Sequence, residues 1–92
     1  MSFEKMFDFV NAQQMARENP ETFEAPSKTE LDNIKPGQPV KVSLNKERFW
    51  VLVTKVDGDN ITGTIDNNLL RNNLKYGDIV TFTKDNVFAI MD

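Results

Sequence analysis

Neither cysteine nor histidine occurs in this 92-residue chain. Without cysteine there is no disulfide, no thiolate metal ligand and no thiol nucleophile. Without histidine the commonest general base, proton shuttle and metal ligand are gone. Chemistry would fall to carboxylates, lysine or the single tyrosine, in a domain with little room for a deep pocket. The sequence therefore reads as non-enzymatic, with no catalytic residues, no cofactor and no metal. Long apolar runs are missing too: none approaches the roughly 20 residues that cross a bilayer. Glu4, Lys5 and Asp8 interrupt the first ten residues, which breaks a signal-peptide apolar core. A cytoplasmic, soluble protein is expected, and a cysteine-free composition fits a reducing compartment.

Strong positive charge is also lacking. Residues 1–34 carry three basic groups against seven acidic ones, and residues 35–92 carry eight basic against seven acidic. The arm is acidic and the body near neutral, unlike the basic footprint of a non-specific nucleic-acid binder. At this length one domain is expected, with apolar burial supplying nearly all the stability.

What is present divides at about residue 34. Met6, Phe7 and Val10 fall at helical spacing, with Phe9 widening the stripe and Ala12, Met15 and Ala16 continuing it. Ser2 is placed to cap such a helix, and Asn19-Pro20 to end it. The expectation is a helix over Phe3–Glu18. Residues 19–33 read as an acidic connector in which Phe23 pins the segment to a core and Thr29–Asn33 has room for one helical turn. From Ile34 the period becomes two. Val40, Val42 and Leu44 mark one strand. Phe49–Val56 marks a second, with Phe49, Val51 and Val53 on one face and Trp50, Leu52 and Val56 on the other. Asn45-Lys46 and Asp57-Gly58-Asp59-Asn60 are turns. Ile61–Ile65, Ile79–Thr83 and Val87–Ile90 complete the strands, with Lys84-Asp85-Asn86 between the last two.

The predicted fold is thus mainly β (α+β): a small five-stranded SH3-like barrel or sandwich preceded by one N-terminal α-helix. Residues 1–33 form the helix and connector packed on the body, and residues 34–92 form the barrel. The helix roofs the outer side of the Trp50 strand in this reading. Closure would remove exposed edges. Two segments echo one another, Ile34-Lys35-Pro36-Gly37 and Leu74-Lys75-Tyr76-Gly77. In each the glycine would supply the positive φ of a type II turn that launches a strand.

Several constellations bear on function. Asp57-Gly58-Asp59-Asn60 has a calcium-loop flavour, but Asn68 stands where an EF-hand needs glutamate, so a plain hairpin turn is the expectation. Lys46, Arg48 and Lys55 with Trp50 and Tyr76 have the composition of a single-stranded nucleic-acid surface. Against that stand the near-neutral body and a Trp50 packed beneath the helix. The loop Asp66-Asn67-Asn68-Leu69-Leu70-Arg71-Asn72-Asn73 is the best interaction candidate, since asparagines both donate and accept and the leucines sit where a loop is usually polar. The competing expectation folds the leucines onto the core and puts the asparagines in left-handed turns.

Glu47-Arg48-Phe49-Trp50-Val51, Gly63-Thr64-Ile65-Asp66-Asn67 and Leu74-Lys75-Tyr76-Gly77-Asp78 together resemble the core of an uncharacterised family of short bacterial and phage proteins, a domain of unknown function. The resemblance extends over about residues 22–91, with Gln38 in place of the acidic residue that often follows the first glycine. It implies a compact β domain in a bacterial or phage setting, host cytoplasm included, and brings no activity and no catalytic residue.

The function expected is a non-enzymatic binding module acting through protein–protein contacts, as an inhibitor or adaptor. Its ligand- or partner-binding residues would be Arg48, Trp50, Asp66, Asn67, Asn68, Arg71 and Tyr76. Alternatives are a binder of a small polar ligand or nucleotide, with Arg48, Trp50, Asp66, Asn67 and Tyr76 at one rim, and single-stranded nucleic-acid binding. The chain is expected as a monomer or a homodimer, the latter through Phe3, Phe7 or Phe9.

Overall fold

Five antiparallel strands make up most of the regular secondary structure in the computed structural model, which describes residues 7–91. They are β1 (Pro39–Leu44), β2 (Glu47–Asp57), β3 (Asn60–Ile65), β4 (Ile79–Thr83) and β5 (Ala89–Ile90), in the order β4-β3-β2-β1-β5. Two short helices precede them, α1 (Ala12–Glu18) and α2 (Lys28–Asp32), and a 3-10 turn at Lys84–Asn86 joins β4 to β5.

The strands form where period-two patterning meets good turn chemistry. Asn45 (φ 51) and Lys46 (φ 65) make a two-residue loop with both central residues left-handed, the geometry that matches strand twist. Gly58 (φ 60) does the corresponding work in the β2–β3 turn. The echoed segments launch β1 and β4 by one device. Gly37 (φ 96) and Gly77 (φ 88) are left-handed. Gln38 and Asp78 donate their amides to Lys35 O and Lys75 O at 3.2 and 3.0 Å. Their side chains accept from Lys35 N and Lys75 N at 2.8 and 2.9 Å. Both glycine amides then donate at 2.8 Å to the neighbouring strand, Gly37 to Val53 O and Gly77 to Ile65 O. Glutamine thus serves where the second copy has an acid.

The inner face carries Val40, Val42, Leu44, Phe49, Val51, Val53, Ile61, Ile65, Val80 and Phe82, all buried. Register shifts between Val53 and Lys55, a β-bulge. The extra residue turns Val56 inward opposite Ile61, where it packs on the core rather than sharing a face with Trp50 and Leu52.

The sheet is not closed into a barrel, contrary to expectation: among the described residues β4 pairs only with β3, and β5 only with β1. β5 is two residues long, too short to bridge the gap. The Thr83 N–H beside that gap is taken by Asn86 Oδ1 at 2.9 Å, and Asn86 Nδ2 donates to Phe9 O and Val10 O at 3.4 and 3.2 Å. The N-terminal segment fills the space instead. Phe9 is buried, its ring centroid 5.6 Å from that of Phe82 and 6.4 Å from that of Phe49.

That insertion shortens the expected helix. Phe7-Asp8-Phe9 alternates with period two, and residues 7–11 are not helical. Val10 N donates to Ser43 O at 3.0 Å. The helix starts at Ala12, capped by the Asn11 side chain accepting from Gln14 N at 2.9 Å. The Ser2 cap and residues 3–6 of the expected helix lie outside the described residues, as does Phe3 as a dimer contact. Phe9 is committed to the core, and Phe7 packs against it.

α1 packs on the 3-10 turn and does not roof Trp50. The connector holds the helical turn expected near its end as α2, five residues long and shifted by one to Lys28–Asp32, with a reciprocal capping box between Ser27 and Glu30. Its Leu31 is buried in the core. Phe23 pins the connector as expected, but to the outer side, meeting Phe88 edge-on at 5.1 Å.

Candidate functional site

Fixing the inner residues of each strand places the others on an outer face that no helix of the described residues covers. Pairing register lays these out in rows across the sheet. One row runs Pro39–Leu52–Thr64–Ile79, extended at the β5 side by Met91, whose N–H reaches Pro39 O at 3.0 Å. Leu52 and Met91 are exposed, and Ile79 is 72% exposed. The next row pairs Ala89, Lys41 and Trp50, and Asp66 follows, donating its amide to Trp50 O at 2.9 Å.

Trp50 is half-buried, not enclosed. Lys41 Nζ lies 4.8 Å from its ring centroid, a cation–π contact. Arg48 stacks in the same way, its guanidinium carbon 5.0 Å from the Phe88 ring. Phe88 N donates to Lys41 O at 2.8 Å although Ala89 is the register partner of Lys41. Two residues there oppose one, which brings Phe88 to the side of Arg48.

The asparagine-rich loop has a structural task. β2 is 11 residues long and β3 only six, so the β2 edge at Glu47–Trp50 would be bare. Loop residues 66–72 cover it. Asn67 Oδ1 accepts from Trp50 N, continuing the ladder with a side chain. At the far end the Glu47 carboxylate accepts from Leu70 N at 2.6 Å, Arg71 N at 2.9 Å and Asn72 Nδ2 at 3.0 Å. Asn72 also reaches Leu44 O at 3.1 Å, and Asn45 Nδ2 donates to Asn72 Oδ1 at 2.8 Å. The Leu70 amide, above all, holds the Glu47 carboxyl below its ordinary pKa, with the Arg71 amide and the Asn72 side chain acting in the same direction. The loop asparagines are not left-handed. The two leucines part company: Leu69 packs on the core, whereas Leu70 is 93% exposed.

The expected site residues therefore fall into two groups. Arg48, Trp50, Asp66 and Asn67 meet on or beside the outer face. Asn68 and Arg71 are exposed on the clamped loop, and Tyr76, 66% exposed, sits in the turn before β4. Asn67 is already engaged with the β2 backbone, and Arg48 with Phe88. Sequence reasoning missed Lys41, Glu47, Asn72, Ile79 and Met91. Ile79 was readable once Val80 and Phe82 are recognised as inward, because its neighbours alternate. The Glu47 clamp has no local signal, since its partners lie more than 20 residues away.

A separate cleft of about 490 Å³ opens between α1, α2, the β2–β3 turn and the 3-10 turn. Arg17, Lys28 and Lys84 line it together with Asp32, Asp59 and Asp85. Asp32 lies 2.9 Å from Lys28 Nζ and 3.3 Å from Lys84 Nζ, and the Lys28 hydrogen bond, then that of Lys84, lowers its pKa. None of the expected site residues lines this cleft. Among the described residues no acidic cluster has the makings of a metal site, and no helix is long and apolar enough to cross a membrane.

No family model, curated protein or solved structure matches this chain.

Proposed function

We propose that the chain is a non-enzymatic binding module that acts through protein contacts, with the outer face of its SH3-type, half-open sheet as the docking surface. The observation that carries this reading is the row Met91–Leu52–Ile79 beside Trp50. Apolar side chains stand exposed on a rigid sheet, and the charges sit to one side. Contiguous exposed apolar surface rimmed by polar groups is the usual mark of a protein interface. An aromatic and an arginine next to it match the residue types that dominate such interfaces. Leu70, held out by a loop that Glu47 clamps, adds an anchor whose ordering cost is met before binding. A bacterial or phage adaptor or inhibitor of the cytoplasm is the setting that the family resemblance favours.

The test compares affinity capture from bacterial lysate by the wild type and by Leu52→Asp and Ile79→Asp. A specific partner retained by the wild type and lost by both variants supports the reading. The same proteins recovered from all three would sink it. A second reading, a small polar ligand, is favoured by the charged cleft rather than by the Trp50 rim. Paired cations and anions there suit a zwitterion. Thermal-shift screening tests it, because a ligand that binds the folded state raises Tm by mass action. A flat response across amino acids and nucleotides ends that reading.

A further inference from the structure

We infer that this chain pairs with a second copy of itself through the free edge of β4, antiparallel about a two-fold axis at Thr81. The hydrogen bonds flanking β4 fix which way its amides face. Ile65 N donates to Asp78 O at 2.9 Å, and Lys84 N donates to Asp59 O at 3.0 Å. Even-numbered residues therefore face β3, and Ile79, Thr81 and Thr83 turn their N–H and C=O groups outward. Asn86 takes the Thr83 N–H. The outward groups of Ile79 and Thr81 meet no partner among the described residues.

Natural edge strands are guarded by charge, proline, a bulge or brevity. β5, at the other margin, is guarded by brevity, with two residues. β4 has none of these devices. Ile79-Val80-Thr81-Phe82-Thr83 contains no charge, proline or glycine, and its register with β3 runs unbroken from Asn60–Thr83 to Thr64–Ile79. The β-branched Ile79 beside it is among the most exposed apolar side chains of the sheet.

The occupant is indicated by the order of residues. About Thr81 the strand reads the same in character in both directions: Val80 against Phe82, Ile79 against Thr83. Asp78 and Lys84 stand at its two ends. A two-fold axis at Thr81 brings Asp78 of each copy near Lys84 of the other. Asp78 already accepts from Lys75 N and Lys84 already meets Asp32, so the near-symmetry of the strand about Thr81, not these charges, selects antiparallel pairing. The axis also places Thr81 opposite its twin, extending the hydroxyl contact already made between Thr62 and Thr81 at 3.3 Å. The pair forms one continuous sheet out of two five-stranded ones. This inference shares Ile79 with the outer-face reading but rests on the backbone edge of β4, and Thr81→Pro and Leu52→Asp, which touch only one of the two, keep their failures apart.

Sedimentation of the full chain from about 1 μM to about 1 mM is the direct test. The expected result is a mass rising to twice that of the monomer, with Ile79 and Thr81 amide exchange slowing as concentration increases. Thr81→Pro removes an N–H that faces away from β3, so the fold survives while self-association weakens by at least about tenfold. Ile79→Lys, which adds a guard charge on an exposed side chain, gives the same loss and serves if the proline variant unfolds. A monomer throughout the range overturns the inference, as does a dimer that both folded variants retain. Protection of the two amides at every concentration overturns it as well, because the edge is then occupied within one chain.

Discussion

Replacing Gly63 by alanine tests the account of the core most sharply, because general preference and this structure disagree on the sign. Glycine within a strand is ordinarily worse than alanine by about 0.5–1 kcal/mol, so the substitution should stabilise. Gly63, however, faces inward opposite Val53, directly before the bulge. A Cβ there would lie 2.5 Å from Leu52 O and 2.5 Å from Val51 Cγ1, against a comfortable separation of about 3.5–4.0 Å. Val51 has nowhere to turn in a filled core, and Leu52 O belongs to the central strand, paired on both sides. Overpacking of this kind costs about 1–3 kcal/mol, and an immovable backbone oxygen argues for the upper end. Subtracting the ordinary gain leaves a net loss of about 2 kcal/mol, or a fall in Tm of about 8–16 °C for a domain of this length. Urea and thermal unfolding followed by circular dichroism would measure it. Val51→Ala in the same background removes one of the two clashes and should recover part of the loss, so the two substitutions are not additive. A Gly63→Ala protein as stable as the wild type would refute the packing argument.

Other perturbations separate the remaining parts. Phe9→Ala should cost about 3–5 kcal/mol in urea unfolding, since its ring fills the gap between Phe49 and Phe82. A peripheral arm would give a loss near zero. Trp50→Ala, by contrast, should cost only about 1–2 kcal/mol because the indole is half-exposed under Lys41. Lys46→Gly should stabilise by about 1 kcal/mol in the same assay, as glycine adopts φ 65 without the penalty lysine carries. Glu47 has a depressed carboxyl pKa, so its clamp is fully engaged above the unfolded-state value and is lost as pH falls through the lower folded-state value. Protection of the Leu70 and Arg71 amides, taken relative to their intrinsic exchange at each pH, should fall over that acidic window, and Glu47→Gln should show low protection already at neutral pH.

Strand positions from Pro39 onward were legible because each carries a local mark: alternation, a left-handed turn pair, or a glycine after Lys35 or Lys75. The arm was misread for a physical reason. Phe7, Phe9 and Val10 satisfy a helical stripe and a period-two strand equally, and only the cavity beside Phe82 decides between them. The turn at α2 was legible from Thr29–Asn33, and Ser27 with Glu30 three apart is the cap pair that moves its start to Lys28. Barrel closure was inferred from strand number, whereas it depends on whether β5 is long enough and whether Thr83 is free to bond. Of the surface, Trp50 and Arg48 were visible as residue types. Leu52 shares the face of Trp50 by alternation within β2, whereas Ile79 and Met91 join them only through register, which no local pattern encodes.

The bond from Asn86 to the carbonyls of Phe9 and Val10 spans 77 and 76 positions of sequence, and it sets a timetable for synthesis. Phe9 is made well before Phe82 and Asn86, the groups that seat it. At about 5–20 residues per second the nascent chain carries that phenylalanine unsheltered for about 4–15 s. During that interval the β1–β2–β3 meander can form behind it from neighbours in sequence, with an open end where the ring belongs. Completion of the core therefore waits until Asn86 has been made, and the interval before it is when a chaperone has something to hold.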